Sequence, residues 1–259
     1  MKTLKILIAV FTVFFIIGCS DNTTSPTGGE ETGIAWVANS QDVNYTEDSL
    51  VKVNLEDGNL TMIANYSGDA NLSGVLLNGA DMMGDRYITV GLFDSRLYSF
   101  NINGDYTIEA DYSGTIGTGI ITGIAYDSTN DKLYMTSVDT IWELDTSSFA
   151  IINTVTIESG FMIGVACSAD VTMYGLDIAS DQLVTIDTID GNVTVVGSIG
   201  FDANYAQDIA YDRINDKLYG ALYSDNGALY TIDMNSGNAT KINNFSTSSV
   251  ELSGFAITY

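Results

Sequence analysis

DIAYDRINDKLYGALYSDNGALYTIDMNSGNATKIN, from Asp208 to Asn243, is the stretch that decides the fold of this chain. Asp208 to Tyr211 is a short apolar run, and residues 212–216 form a polar turn. Lys217 to Tyr223 is a second run, built around Tyr219, and residues 224–227 turn the chain again. Ala228 to Asp233 is a third run, Asn235 to Asn238 a hairpin turn, and Ala239 to Ile242 a fourth run. Short runs of β-branched and aromatic residues, punctuated by Asn, Asp, Gly and Ser, predict strands joined by tight turns.

Copies of this unit fill most of the sequence. Its third run recurs as LVKVNLEDGN from Leu50, LYSFNINGD from Leu97, IWELDTSSF from Ile141 and LVTIDTIDGN from Leu183. Its second run recurs around Trp36, Tyr87, Tyr134 and Tyr174. Its first run recurs as GVLL from Gly74, GIAY from Gly123, GVAC from Gly164 and GFAI from Gly254. Starts lie roughly 40 to 50 residues apart, the period of propeller blades. The sequence therefore predicts an all-β protein, a β-propeller of five four-stranded blades around a central channel. The first copy begins at its second strand, Ala35-Trp36-Val37-Ala38, and the last copy is a lone first strand, Gly254 to Ile257. Joining the two closes the first blade and leaves no orphan edge. A rival register takes Gly33-Ile34-Ala35-Trp36 as a first strand and leaves the last one unpaired. Gly and Ala dominate the first runs because blades crowd at the axis, where close approach favours small side chains.

Residues 1–18 have a basic start, Lys2 and Lys5, and an apolar core, Ile6 to Ile17. That is the pattern of a secretory signal, too short for an ordinary membrane span. Ile16-Ile17-Gly18-Cys19 resembles the bacterial lipobox. The resemblance implies a lipoprotein signal peptide, acylation of Cys19 (palmitate among the acyl groups) and tethering to a membrane. Ser20 after that Cys resembles the default sorting signal to the cell outer membrane. Residues 19–32 carry the chain's one Pro, Pro26, among small polar residues, and are expected to be a flexible tether. Residues 33–259 are then one propeller domain.

Nine basic and 33 acidic residues give a net charge of −24; loss of Lys2 and Lys5 with the leader would make it −26. Such an acidic surface disfavours nucleic acid and charge-driven docking on anionic lipid, and it suits a soluble monomer. Many of the acids sit in turns, at Asp127, Asp131, Asp145, Asp187, Asp212, Asp216 and Asp233, where they are expected to cap backbone amides. With Cys19 committed to lipid, Cys167 is the one thiol left, and it is expected to be a small core residue.

The chain has no His, which excludes Ser-His-Asp and Cys-His machinery and His-ligated metals. No P-loop, dinucleotide fingerprint or strict calcium loop is present. Carboxylates, amides and Tyr remain. The lead-ins to the first strands are where a propeller gathers function. Residues 201–207 are the richest, with Asp202, Asn204, Tyr205 and Gln207, and Asp208 follows where the other copies have Gly. As a functional group, Asp208 would be a carboxylate at the channel mouth able to bind a cation, possible Ca²⁺, or sugar hydroxyls. As a structural one, it caps its own turn. Asp69, Asn71 and Glu251 open neighbouring blades and are expected at the same mouth.

The repeat KLYGALYSDNGALYTIDMNSGNATKI resembles those of secreted bacterial β-propellers of the YVTN and quinoprotein-like kind. The resemblance covers nearly all of the chain after the tether and implies fold, not activity; relatives of that kind often have more than five blades. The leading expectation is a cell-envelope lipoprotein whose propeller binds a ligand, an envelope protein or a glycan, with no catalytic residue and no cofactor. The alternatives are a propeller hydrolase, lactonase- or glycosidase-like, using carboxylates and a divalent cation, and an adhesin.

Overall fold

The turn aspartates set the corners. Asp212 accepts the amides of Ile214 and Asn215 at 3.0 and 2.9 Å and the side-chain amide of Asn215. Asp127 does the same for Thr129 and Asn130. Asp145, Asp187 and Asp233 each accept the amide two residues on. Each such bond satisfies a donor that the turn would otherwise leave open. Asp131 and Asp216 take positive φ and receive the hydroxyls of Tyr126 and Tyr211.

A computed structural model describes residues 32–259 apart from 117–119, 158–159, 161 and 205–206; the leader, Cys19, the tether to residue 31 and Tyr205 lie outside the described residues. Between the corners run β1 (Thr32–Ser40), β2 (Ser49–Asn54), β3 (Leu60–Asn65), β4 (Leu77–Met83), β5 (Arg86–Gly91), β6 (Arg96–Phe100), β7 (Tyr106–Asp111), β8 (Ile121–Asp127), β9 (Lys132–Ser137) and β10 (Thr140–Leu144). They continue as β11 (Ile151–Thr156), β12 (Met162–Cys167), β13 (Met173–Asp177), β14 (Gln182–Ile186), β15 (Val193–Ser198), β16 (Asp208–Asp212), β17 (Lys217–Tyr223), β18 (Gly227–Ile232), β19 (Ala239–Asn244) and β20 (Val250–Ile257). They pair as five antiparallel sheets of four: β20-β1-β2-β3, β4 to β7, β8 to β11, β12 to β15 and β16 to β19. We call these blades one to five. The protein is a five-bladed β-propeller.

Blade one is closed as the sequence predicts. β20 pairs with β1, with Gly33 opposite Ile257 and Trp36 opposite Ser253. β1 pairs on its other side with β2, so residues 33–36 hold the second position in their sheet and the rival register fails. The inner strands touch in the cycle β20, β4, β8, β12, β16 and back to β20. Their starts define the upper end of the channel and their ends the lower.

One expected start is corrected. Gly74 lies in the turn before blade two, its amide facing the Asp48 carboxylate. The residue matching Gly123, Gly164 and Gly254 is Gly79, at φ 67 beside a register shift. The motif is disguised because Gly79-Ala80-Asp81-Met82 carries Asp where the other blades carry Ala125, Ala166, Ala210 and Ala256. In blades three to five that Ala lies opposite the predicted aromatic residue, as Ala125–Tyr134, Ala166–Tyr174 and Ala210–Tyr219. In blade two the partner of Asp81 is Ile88, and Tyr87 lies one step over.

The core is five apolar clusters, each shared by two adjacent blades. Between blades one and two, Trp36 is fully buried and stacks on Tyr66 with ring centroids 5.7 Å apart; Phe100 packs edge-on to Tyr66 and Tyr87. Burying one such side chain stabilises by about 1.5–3 kcal/mol. The outer strands are largely half-buried or exposed, as in β3 and β19.

Candidate functional site

The channel forms around the glycines of the inner strands. A Cβ on Gly79 would sit 2.4 Å from the Cα of Gly123, so blades two and three meet backbone to backbone. Gly164 and Gly254 also take positive φ. Four glycines leave space at this level for one side chain, and Asp208 fills it. A Cβ on Gly164 would lie 2.6 Å from the Asp208 carboxylate.

Asp208 Oδ2 accepts the amide of Ala80 in blade two at 2.9 Å and that of Phe255 in blade one at 2.8 Å; Oδ1 accepts its neighbour Ile209 N at 2.9 Å. Ala80 and Phe255 each follow a positive-φ Gly, which turns their amides out of the ladder and toward the axis. Burial pushes the Asp208 carboxyl well above the usual range, and the three amides pull it back down; the nearby Asp81 adds to the rise. Asp208 thus lies inside the channel and ties three blades together, a role wider than capping its own turn.

A second carboxylate occupies the lower end. Asp81 accepts Tyr126 N from blade three and Met82 N, both at 2.7 Å, and lies 3.7 Å from the Arg213 guanidinium of blade five. Arg213 also donates to the carbonyl of Tyr126 and sits under the ring of Tyr259, 5.7 Å away. The Tyr259 hydroxyl donates to Met82 O. This one side chain therefore spans the lower mouth from blade five to blades two and three. The Asp81 carboxyl is pushed up to about 6 by burial, against the pull of Arg213 and the two amides. Arg213 Nε and Nη1 find no partner among the described residues. Cys167 is buried nearby, its thiol pushed up by burial and by the charges of Asp81 and Asp127, as suits an unreactive core residue.

The residues expected at one mouth do not all come together. Asp69 accepts the amides of Asn71 and Leu72 and the hydroxyl of Tyr106 at 2.7 Å; Asn71 also faces Tyr106 at 3.2 Å. Tyr106 opens the outermost strand of blade two, so this pair sits at the rim, away from the axis. Asp202 and Asn204 are exposed, and Asn204 N donates to Tyr223 O at 2.8 Å. Gln207 and Glu251 are buried, as is Asp208. Sequence reasoning misses Asp81 and Arg213. A usable signal for Asp81 is the break in the Gly-x-Ala pattern of the first strands, once Gly79 is taken as its start.

Calcium needs several oxygens around it. Asp208 presents its oxygens to three N–H donors. No group of three or more acid, Cys or His side chains able to hold a metal occurs among the described residues.

No protein-family profile and no curated protein matches the chain. Solved structures do. A chain of a nidogen/laminin complex is 9% identical, with TM-score 0.55, over 88% of this chain and 98% of that one. Glutaminyl cyclase from Myxococcus xanthus is 15% identical, with TM-score 0.50, over 71% of this chain and 83% of that one. Virginiamycin B lyase from Staphylococcus aureus is 14% identical, with TM-score 0.47, over 76% of this chain; this chain spans only 64% of the lyase. At such identities the likeness speaks for the fold alone, and the fold is shared by proteins of unlike function.

Proposed function

We propose that this protein is a lipid-anchored envelope module, outer-membrane by its sorting residue, that binds a protein or glycan on its upper face and catalyses no reaction. The observation that carries this reading is the bonding of Asp208 to Ala80 N and Phe255 N. The most prominent carboxylate of the channel is engaged in holding the ring, and Asp81 is engaged in the same way below it. A rigid closed ring positions the loops that carry recognition. On this reading the exposed Asp202 and Asn204 belong to the recognition surface, and Asp69 with Asn71 extends it outward. A hydrolase would have to free Asp208 from three amides before it could act.

The test is a glycan and envelope-protein binding panel run on the wild type and on Asp202→Ala with Asn204→Ala. Saturable binding lost in the double variant at unchanged melting temperature supports the reading. Turnover of a lactone or glycoside that depends on Asp208 would replace it. Acylation is tested separately: labelled palmitate should enter the wild type and not Cys19→Ala.

A further inference from the structure

The residue before the channel glycine, or before Asp208, is polar in four blades: Ser253, Asn78, Thr122 and Gln207, with Ile163 in blade four. All are buried. Ser253 donates its hydroxyl to Leu77 O of blade two, and Asn78 Nδ2 donates to Thr122 O of blade three at 2.7 Å, so each reaches the next inner strand. Thr122 lies 3.5 Å from Thr136 O in its own blade. Gln207 departs from this pattern. It is completely buried, and neither Nε2 nor Oε1 has a hydrogen-bond partner among the described residues.

A buried amide left unbonded at both ends is costly, and folded proteins contain few. The Gln207 amide offers a donor and an acceptor side by side, and that pair specifies the chemistry that answers it. An anion would satisfy only the N–H donors, and a cation only the carbonyl oxygen. A hydroxyl both donates and accepts. We propose that the Gln207 amide holds a hydroxyl-bearing guest at the upper end of the channel, which accepts from Nε2 and donates to Oε1. The same O–H chemistry comes from two sources, a resident water or a neutral polyol. Buried water characteristically bridges polar groups that the protein leaves unpaired.

This inference stands apart from the binding role proposed above, since its test needs no partner. The full chain in detergent is compared with Gln207→Met, a side chain of similar length without polar groups. If a guest is bound, Met loses its bonds and the melting temperature falls by on the order of a few degrees. An oxygen peak within hydrogen-bond distance of both amide atoms in high-resolution wild-type crystals grown without polyol identifies water. A saturable rise in melting temperature with myo-inositol, absent in Gln207→Met, identifies the polyol. A higher melting temperature for Gln207→Met, together with empty density beside the wild-type amide, overturns the proposal.

Discussion

The Asp208 carboxylate of blade five accepts the amide of Ala80 in blade two, 2.9 Å away across the central channel. The two blades are not neighbours in the ring, so the bond works as a spoke. Asp208→Ala would leave the amides of Ala80 and Phe255 without an acceptor inside the protein. The expected loss is about 2–4 kcal/mol, read from the midpoint of chemical denaturation. Asp208→Asn keeps one acceptor oxygen and should lose less. Wild-type stability in Asp208→Ala would mean that the spokes hold nothing.

Acidity should have opposite effects on two sets of carboxylates. Asp81, pushed up to about 6, and Asp208, also raised by burial, bind protons more tightly folded than unfolded. Their contribution is fully present below about pH 4 and is lost as pH rises through the folded values, for Asp81 by about 3 kcal/mol. Asp145, held at about 2 by Ser147 and Ser148, and the lowered Asp69, Asp111 and Asp233 behave in the reverse sense. Their contribution is present above about pH 4 and is lost on further acidification. The melting temperature should therefore peak in mild acid, between about pH 4 and 6. Asp81→Asn should flatten the decline between that peak and neutrality. An identical pH profile for Asp81→Asn and wild type would contradict this account.

Arg213 is the counter-charge of Asp81 and is itself mostly buried, 11% exposed in its side chain. Removing one member of a buried pair typically costs about 3–5 kcal/mol. Arg213→Met should approach that loss at neutral pH and lose less near pH 4, where Asp81 is protonated. A loss of equal size at both pH values would assign Arg213 a packing role alone.

Two glycines test the register of blade two. Gly79 takes positive φ, and a Cβ there meets the backbone of Gly123 at 2.4 Å, whereas Gly74 takes positive φ with nothing within 4 Å. Gly74→Ala should cost about 1–2 kcal/mol, the strain of the left-handed backbone. Gly79→Ala adds a backbone collision and should cost at least about 3 kcal/mol. Equal losses in denaturation would undo the assignment of Gly79 to the channel.

Deleting β20, fully buried along its length, should abolish the cooperative transition and expose the edge of β1 to pairing between molecules. Light scattering and a denaturation curve on a chain ending at Ser249 would show it. A monomeric, cooperatively unfolding truncation would show that closure is dispensable.

Period, turn chemistry and the position of the closing strand are legible because they are local. Asn, Asp and Gly mark corners wherever they fall, and Asp208 stands out against four glycines. Asp81 is less legible: its carboxylate replaces the Ala that would have revealed the motif, and Gly74 offers a more obvious anchor nearby. Arg213 reads as one cation in a polar turn, since its partners Asp81, Tyr126 and Tyr259 come from three other blades. Nor does sequence show that Asp69 faces Tyr106 at the rim, because the lead-in bends away from the channel before β4 begins.

Thr32 and Thr258, 226 residues apart, are hydrogen-bonded where β1 meets β20. That junction makes folding a matter of timing. A chain emerging from a ribosome exposes β1 long before β20 exists, and no local contact can substitute for it. Pairings this remote in sequence form slowly, and unpaired strand edges invite aggregation in the interval. A propeller latched in this way stays open until its last strand is available, and gains its closed form in a single late step.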